Sequence, residues 1–179
     1  MLSAASTPAQ ATMTKSRLAE LLTPERIMPE LNASGAPAVL RAMARLVAEE
    51  AGSSEAAVLD AIRKMERLTS FGVGRGVAVP HAVLDGIPAP IGAFAHLRHL
   101  VDFEAADGRL VDLVFLLLVP KAEAKLLLPL LAGVVRRLRD REVLKHLRSG
   151  SSAAASFSVL TTDSWRGAGQ PTGISLRLA

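Results

Sequence analysis

The 179-residue chain has no cysteine and no tyrosine, and its aromatic residues are five phenylalanines and one tryptophan. Without cysteine there are no disulfides, no thiolate metal sites and no cysteine nucleophile, a composition that suits a reducing cytoplasm. So few rings leave little for stacking nucleic-acid bases. They also oblige the core to be built from Leu, Val, Ile, Ala and Met. Half of the residues are hydrophobic, enough for one domain's core. No apolar run approaches the ~18 residues that span a bilayer. The longest, Leu113 to Val119, has the length of a buried strand, so no membrane insertion is expected. Residues 1–16, rich in Ala, Ser and Thr, lack the charged start and apolar stretch of a secretion signal and are expected to be a flexible leader. Residues 163–179 are expected to be a loose tail with Trp165 able to dock it. That leaves 17–162 as a single domain.

Charge is modest in total and uneven in place. Of the net +4, the segment from Lys121 to Arg148 holds eight basic side chains against Glu123, Asp140 and Glu142. No helix-turn-helix, zinc or RNA-binding signature accompanies them. The run is therefore expected to be a solvated helix face, with no nucleic acid bound, that helps to steer an acidic partner.

Periodicity supplies the elements. Ser34 is placed to cap a helix whose apolar face is Val39, Leu40, Met43, Leu46 and Val47, ending at Gly52. Ser53 or Ser54 starts a second, with Val58, Leu59, Ile62 and Met65 as its stripe. Strands are expected over 75–80, Ile91 to Arg98, Val101 to Glu104 and Val111 to Val119, with Asp107-Gly108 as a turn. Helices follow over Leu126 to Arg139, Glu142 to Leu147 and Ala153 to Leu160. Helices around a fully buried strand predict an α/β sandwich, a mixed β-sheet flanked by helices on both faces.

The segment Thr69-Ser-Phe-Gly-Val-Gly-Arg-Gly-Val-Ala-Val-Pro-His-Ala82 concentrates the chemistry. Its glycines at 72, 74 and 76 are not a dinucleotide loop, because G-x-G-x-x-G would need glycine where Val77 stands, and they precede a strand instead of following one. Pro80 fixes its own φ and holds Val79 extended. The strand is therefore expected to stop and leave His81 at its rim, a neutral imidazole able to take a phosphoryl group. His96 and His99 are three apart, a spacing that suits no metal pair on a strand, and no metal or cofactor is expected.

GVGRGVAVPHA, the later LVDFEAADGRLVDLVFLLLVP and the helical LLAGVVRRLRDREVLKHLR together resemble the mannitol/fructose-type enzyme IIA domain of the bacterial phosphotransferase system, its nitrogen-related branch most of all. The resemblance spans about Leu18 to Thr162. It implies the mannitol-type IIA fold and a phosphotransferase-system component in which His81 receives phosphate from a histidine phosphocarrier protein (HPr- or NPr-like). The two phosphorylation states would then bind regulatory protein targets differently. It leaves two alternatives: a regulatory binding module that has lost transfer, and a sugar-specific IIA component. Candidate phosphate ligands around His81 are the backbone of Gly74 and Gly76, the hydroxyls of Thr69 and Ser70, and the cations Arg67 and Arg75. The resemblance also puts Met65, Phe71 and Leu127 where the family usually has an arginine, a threonine and a second active-site histidine. Asp112 matches an acidic residue of the family, with a structural hydrogen-bonding role expected.

Overall fold

In the computed structural model, which describes residues 17–167, the long apolar run becomes the central strand of a six-stranded mixed sheet. The strands are β1 (Ile27–Leu31), β2 (Gly72–Gly74), β3 (Val77–Ala78), β4 (His81–Leu84), β5 (Ile91–Val101) and β6 (Val111–Pro120). One edge of β6 pairs antiparallel with β5, which pairs parallel with β1. The other edge takes β3 and then β4, both parallel. A strand bonded on both edges and covered on both faces has no polar side to show, which explains its unbroken apolar sequence. Val114, Leu116 and Leu118 enter the core on the first face, and Leu113, Phe115, Leu117 and Val119 enter the core on the second.

Helices α1 (Ala36–Ala48) and α2 (Glu55–Glu66) close the first face. Helices α3 (Leu127–Leu138), α4 (Arg141–Ser149) and α5 (Ala153–Thr161) close the second, joined by Leu18, Leu21 and Leu22. The architecture is thus the expected sandwich. Local chemistry starts the helices: the Ser54 hydroxyl accepts the Ala57 amide at 3.1 Å, Ser152 accepts Ala155 at 3.1 Å, and Asp140 accepts Glu142 at 2.9 Å. Ser34 caps nothing; Gly35 occupies that position and α1 begins at Ala36 without a side-chain cap. Pro129 lies in the first turn of α3, where its missing N–H has no intrahelical partner to lose.

Two expectations change at the C-terminal end. The described part of the presumed loose tail, 163–167, is tied down, while residues 1–16 and 168–179 lie outside the described residues. The Trp165 indole donates to the Thr162 carbonyl at 3.0 Å, its ring lies 4.3 Å from that of His146, and the Arg166 guanidinium covers it at 4.6 Å. Arg137, counted above among solvated cations, is buried. It donates to the carbonyls of Val159 (2.5 Å) and Thr162 and pairs with Asp163 at 2.9 Å. A helix end leaves carbonyls without intrahelical partners, and Arg137 serves those of α5. No described helix is long and apolar enough to cross a membrane.

Candidate functional site

His81 owes its setting to Pro80. Along β6, Val77 and Ala78 pair with Leu113 and Val114, and His81 to Leu84 pair with Leu117 to Pro120. Between them the chain leaves the ladder for two residues. Pro80 has no N–H, but its carbonyl still accepts the Leu117 amide at 2.9 Å. The Val79 amide turns away to the Phe71 carbonyl at 2.8 Å. Among the described residues the Val79 carbonyl receives no backbone amide, and it instead lies 2.8 Å from His81 Nδ1. A carbonyl only accepts, so Nδ1 carries the hydrogen and the neutral ring keeps its lone pair on Nε2. Nε2 has no hydrogen-bond partner among the described residues and is not among the polar atoms sealed from solvent.

The expected strand over 75–80 ending in an open rim is therefore corrected. The strand resumes at His81 because the ladder of β6 continues past the proline, and the residue is only 8 % exposed. Its imidazole is packed, with one nitrogen left toward solvent. The packing partner is Phe71, 2 % exposed, whose ring meets the imidazole edge-on with centroids 5.5 Å apart. Where the resemblance implies a hydroxyl, the site has an apolar wall. Met65 packs, partly buried, against the core under α1 and α2, and Leu127 against the opposite one.

The other candidates divide into separate groups. Thr69 and Ser70 lie exposed in a loop; the Ser70 hydroxyl accepts the Gly72 amide at 3.3 Å and donates to the Glu104 carbonyl at 3.5 Å. They share a cleft with Glu66, Asp102 and Glu104, carboxylates that repel an anion. Arg67 is exposed at the end of α2 and acts through space on Asp60. Gly74, Arg75 and Gly76 form the tip of the β2–β3 hairpin with φ of 90°, 60° and 78°. The Gly76 carbonyl accepts the amides of Asp112 and Leu113, whereas His81 sits opposite Leu117. Four strand residues separate those positions, about 13 Å at ~3.3 Å each. The expected cradle of glycine amides is therefore not formed around His81; the tip belongs to another network. Arg75 donates to the Arg139 carbonyl at 2.7 Å, and Arg148 grips Asp112 through Nε and Nη2 at 2.7 Å each.

A backbone carbonyl or similar acceptor on the second imidazole nitrogen is what the chemistry leads one to expect; that it is the carbonyl of Val79 no pattern of side chains announces. Sequence reasoning missed Asp107, whose carboxylate orders the hairpin tip by accepting the Arg75 amide at 2.9 Å and the Arg109 amide at 3.2 Å. The Asp107-Gly108 turn signal was the clue to it. Asp112 has the structural role expected of it.

Set beside known proteins, residues 20–162 match the family model for the phosphoenolpyruvate-dependent sugar phosphotransferase system, EIIA 2. The chain is 40% identical over 143 residues to a nitrogen regulatory protein of Bradyrhizobium diazoefficiens, covering 80% of this chain and 94% of that one. It is 38% identical over 145 residues to a nitrogen regulatory protein of Pseudomonas aeruginosa, again covering 80% and 94%. The crystal structure of the nitrogen regulatory protein IIA-Ntr from Neisseria meningitidis superposes with a TM-score of 0.78 at 30% identity, over 82% of this chain and all of that one. The crystal structure of IIA mannitol from Escherichia coli shares the fold, with a TM-score of 0.63 at 19% identity over 78% and 98% of the two chains.

Proposed function

Because the chain belongs to the phosphoenolpyruvate-dependent sugar phosphotransferase system EIIA 2 family and is similar within it to nitrogen regulatory proteins, we propose that His81 carries phosphate on Nε2. The donor is the phosphohistidine of a histidine phosphocarrier protein. The lone pair on Nε2 attacks phosphorus; the new N–P bond forms as the donor's N–P bond breaks, and that bond's electrons stay on the donor's ring. Little covalent machinery is needed beyond in-line placement. The observation that carries this reading is the 2.8 Å contact from Nδ1 to the Val79 carbonyl, which fixes the nucleophilic tautomer before the donor arrives. Phosphorylation adds about −1.5 to −2 charge to one patch, so regulatory targets in the cytoplasm distinguish the two forms.

The test is incubation with the phosphorylated carrier. Wild-type protein should gain acid-labile phosphate, and His81→Ala should gain none. A second reading, a regulatory binding module that no longer transfers, draws on the Phe71 ring against the imidazole and on the absence of the implied arginine and second histidine. Wild-type protein that stays unlabelled under conditions that label a related IIA domain would replace the first reading with the second.

A further inference from the structure

Arg75 belongs instead to a group of cations that converge on one concave surface. Helix α4 carries Arg141, Lys145 and Arg148 at i, i+4 and i+7, a single stripe, while Val143, Leu144 and Leu147 are buried beneath it. Opposite the stripe are Arg75 at the hairpin tip and Asp107 and Arg109 in the loop before β6. Together they line a depression of about 730 Å³ in which Leu144 is the single apolar lining residue among the described residues.

Both carboxylates here are already engaged. Asp107 accepts the Arg75 amide and then the Arg109 amide, and these bonds, that of Arg75 foremost, hold its carboxyl below the ordinary range. Asp112 is taken by the Arg148 fork, whose Nη2 also donates to the Arg75 carbonyl at 2.6 Å. The glycine at 76 admits that fork, since a Cβ there would lie 2.7 Å from Arg148 Nη2. The side chains of Arg109, Arg141 and Lys145 make no hydrogen bond or ion pair among the described residues, the Arg109 guanidinium acting on Asp107 only through space. Five cations against two carboxylates leave three positive charges uncompensated, gathered in a hollow that focuses their field.

We propose that this depression binds a diphosphate group, with Arg109, Arg141 and Lys145 as its free donors and Arg75 and Arg148 as the ordered floor. Guanidinium forks match phosphoryl oxygens in a bidentate way. One phosphoryl group of about −1.5 to −2 charge leaves part of the surplus unmatched, and two linked groups balance it. No aromatic residue among those described lines the hollow, so the site offers no stacking partner for a nucleotide's base. An acidic protein is the poorer occupant, because the surface lacks the apolar or aromatic anchors that interfaces depend on.

Titrating the full chain with pyrophosphate by NMR and calorimetry tests this. Saturable binding should perturb the amides of 75–76, 107–109 and 141–148, with affinity at least roughly tenfold above that for orthophosphate. A nucleoside diphosphate should bind within about threefold of pyrophosphate itself. The exposed pair Arg141→Ala/Lys145→Ala should weaken binding by roughly tenfold or more with unchanged thermal unfolding. His81→Ala should leave it intact, which separates this site from phosphate transfer. Absent saturation at millimolar pyrophosphate, equal orthophosphate affinity, indifference to the double substitution, or a response to a polyglutamate peptide alone would each overturn the assignment.

Discussion

Replacing Phe71 with threonine separates what its ring does for the fold from what a hydroxyl does for transfer. The side chain is 2 % exposed, in the core under α1 and α2, and edge-on to His81. Cutting a buried Phe to Ala costs about 3–5 kcal/mol, and the ring–ring contact accounts for about 0.5–1.5 kcal/mol of that. Threonine keeps a branched Cβ, so the lower end, about 3 kcal/mol, applies. At about 2–4 °C per kcal/mol for a domain of this size, Tm should fall by about 6–12 °C. Transfer should move the other way. A well-aimed donor to the oxygens where charge develops is worth about 10²–10³ in rate. A hydroxyl placed without further optimisation should give roughly tenfold. The control is Phe71→Leu, which removes the ring without adding a donor and, being closer to phenylalanine in volume, costs about 1 kcal/mol. Rates of acid-labile labelling by the phosphorylated carrier, measured well below either variant's Tm, make the comparison. If Phe71→Thr is labelled no faster than Phe71→Leu, the claim that the site lacks a donor at position 71 is wrong.

Other consequences follow from the packing around the sheet. Gly76→Ala combines a φ of 78° with a Cβ 2.7 Å from Arg148 Nη2 and 2.9 Å from Asp112 Oδ1; it should cost about 1–2 kcal/mol in denaturant unfolding. Arg137→Ala strips the α5 carbonyls of their donor and should cost about 2–3 kcal/mol. Because the chain has one tryptophan, the same change should red-shift its fluorescence as Trp165 loosens. Asp107 titrates below its ordinary 3.8 in the folded state, chiefly through the Arg75 amide. Its anchoring of the hairpin tip is thus fully present above the unfolded value and lost as pH falls through the lower folded one. The Arg75 and Arg109 amide resonances should shift together across that window, and in Asp107→Asn they should not.

What the sequence revealed and what it hid divides along local and non-local lines. The strand β6 was legible because an apolar run bounded by Asp107-Gly108 and Pro120 has the length and enclosure of a central strand, and its two-faced alternation then required helices on both sides. The cap at Ser54 and the first-turn place of Pro129 are likewise local chemistry. The path through 75–84 was not. Pro80 breaks a strand locally, but the ladder on the far side belongs to β6, more than thirty residues onward, and it draws His81 back into pairing. For the same reason the glycines at 74 and 76 were assigned to the histidine next to them in sequence. They serve Asp107, Asp112 and Arg148, partners that only the fold brings near. Arg137 looked like its neighbours on a basic helix; the ends of two helices meeting decided that it is buried.

The central claim is that Val79 holds the His81 ring so that Nε2 is the accepting atom. The direct measurement is NMR of protein with ¹⁵N-labelled histidine after incubation with the phosphorylated carrier. One phosphoryl group per chain, coupled to Nε2 of His81 while Nδ1 remains protonated against the Val79 carbonyl, is the predicted result. Phosphorus on Nδ1, or no coupling at any histidine while a related IIA domain is labelled in parallel, would contradict it.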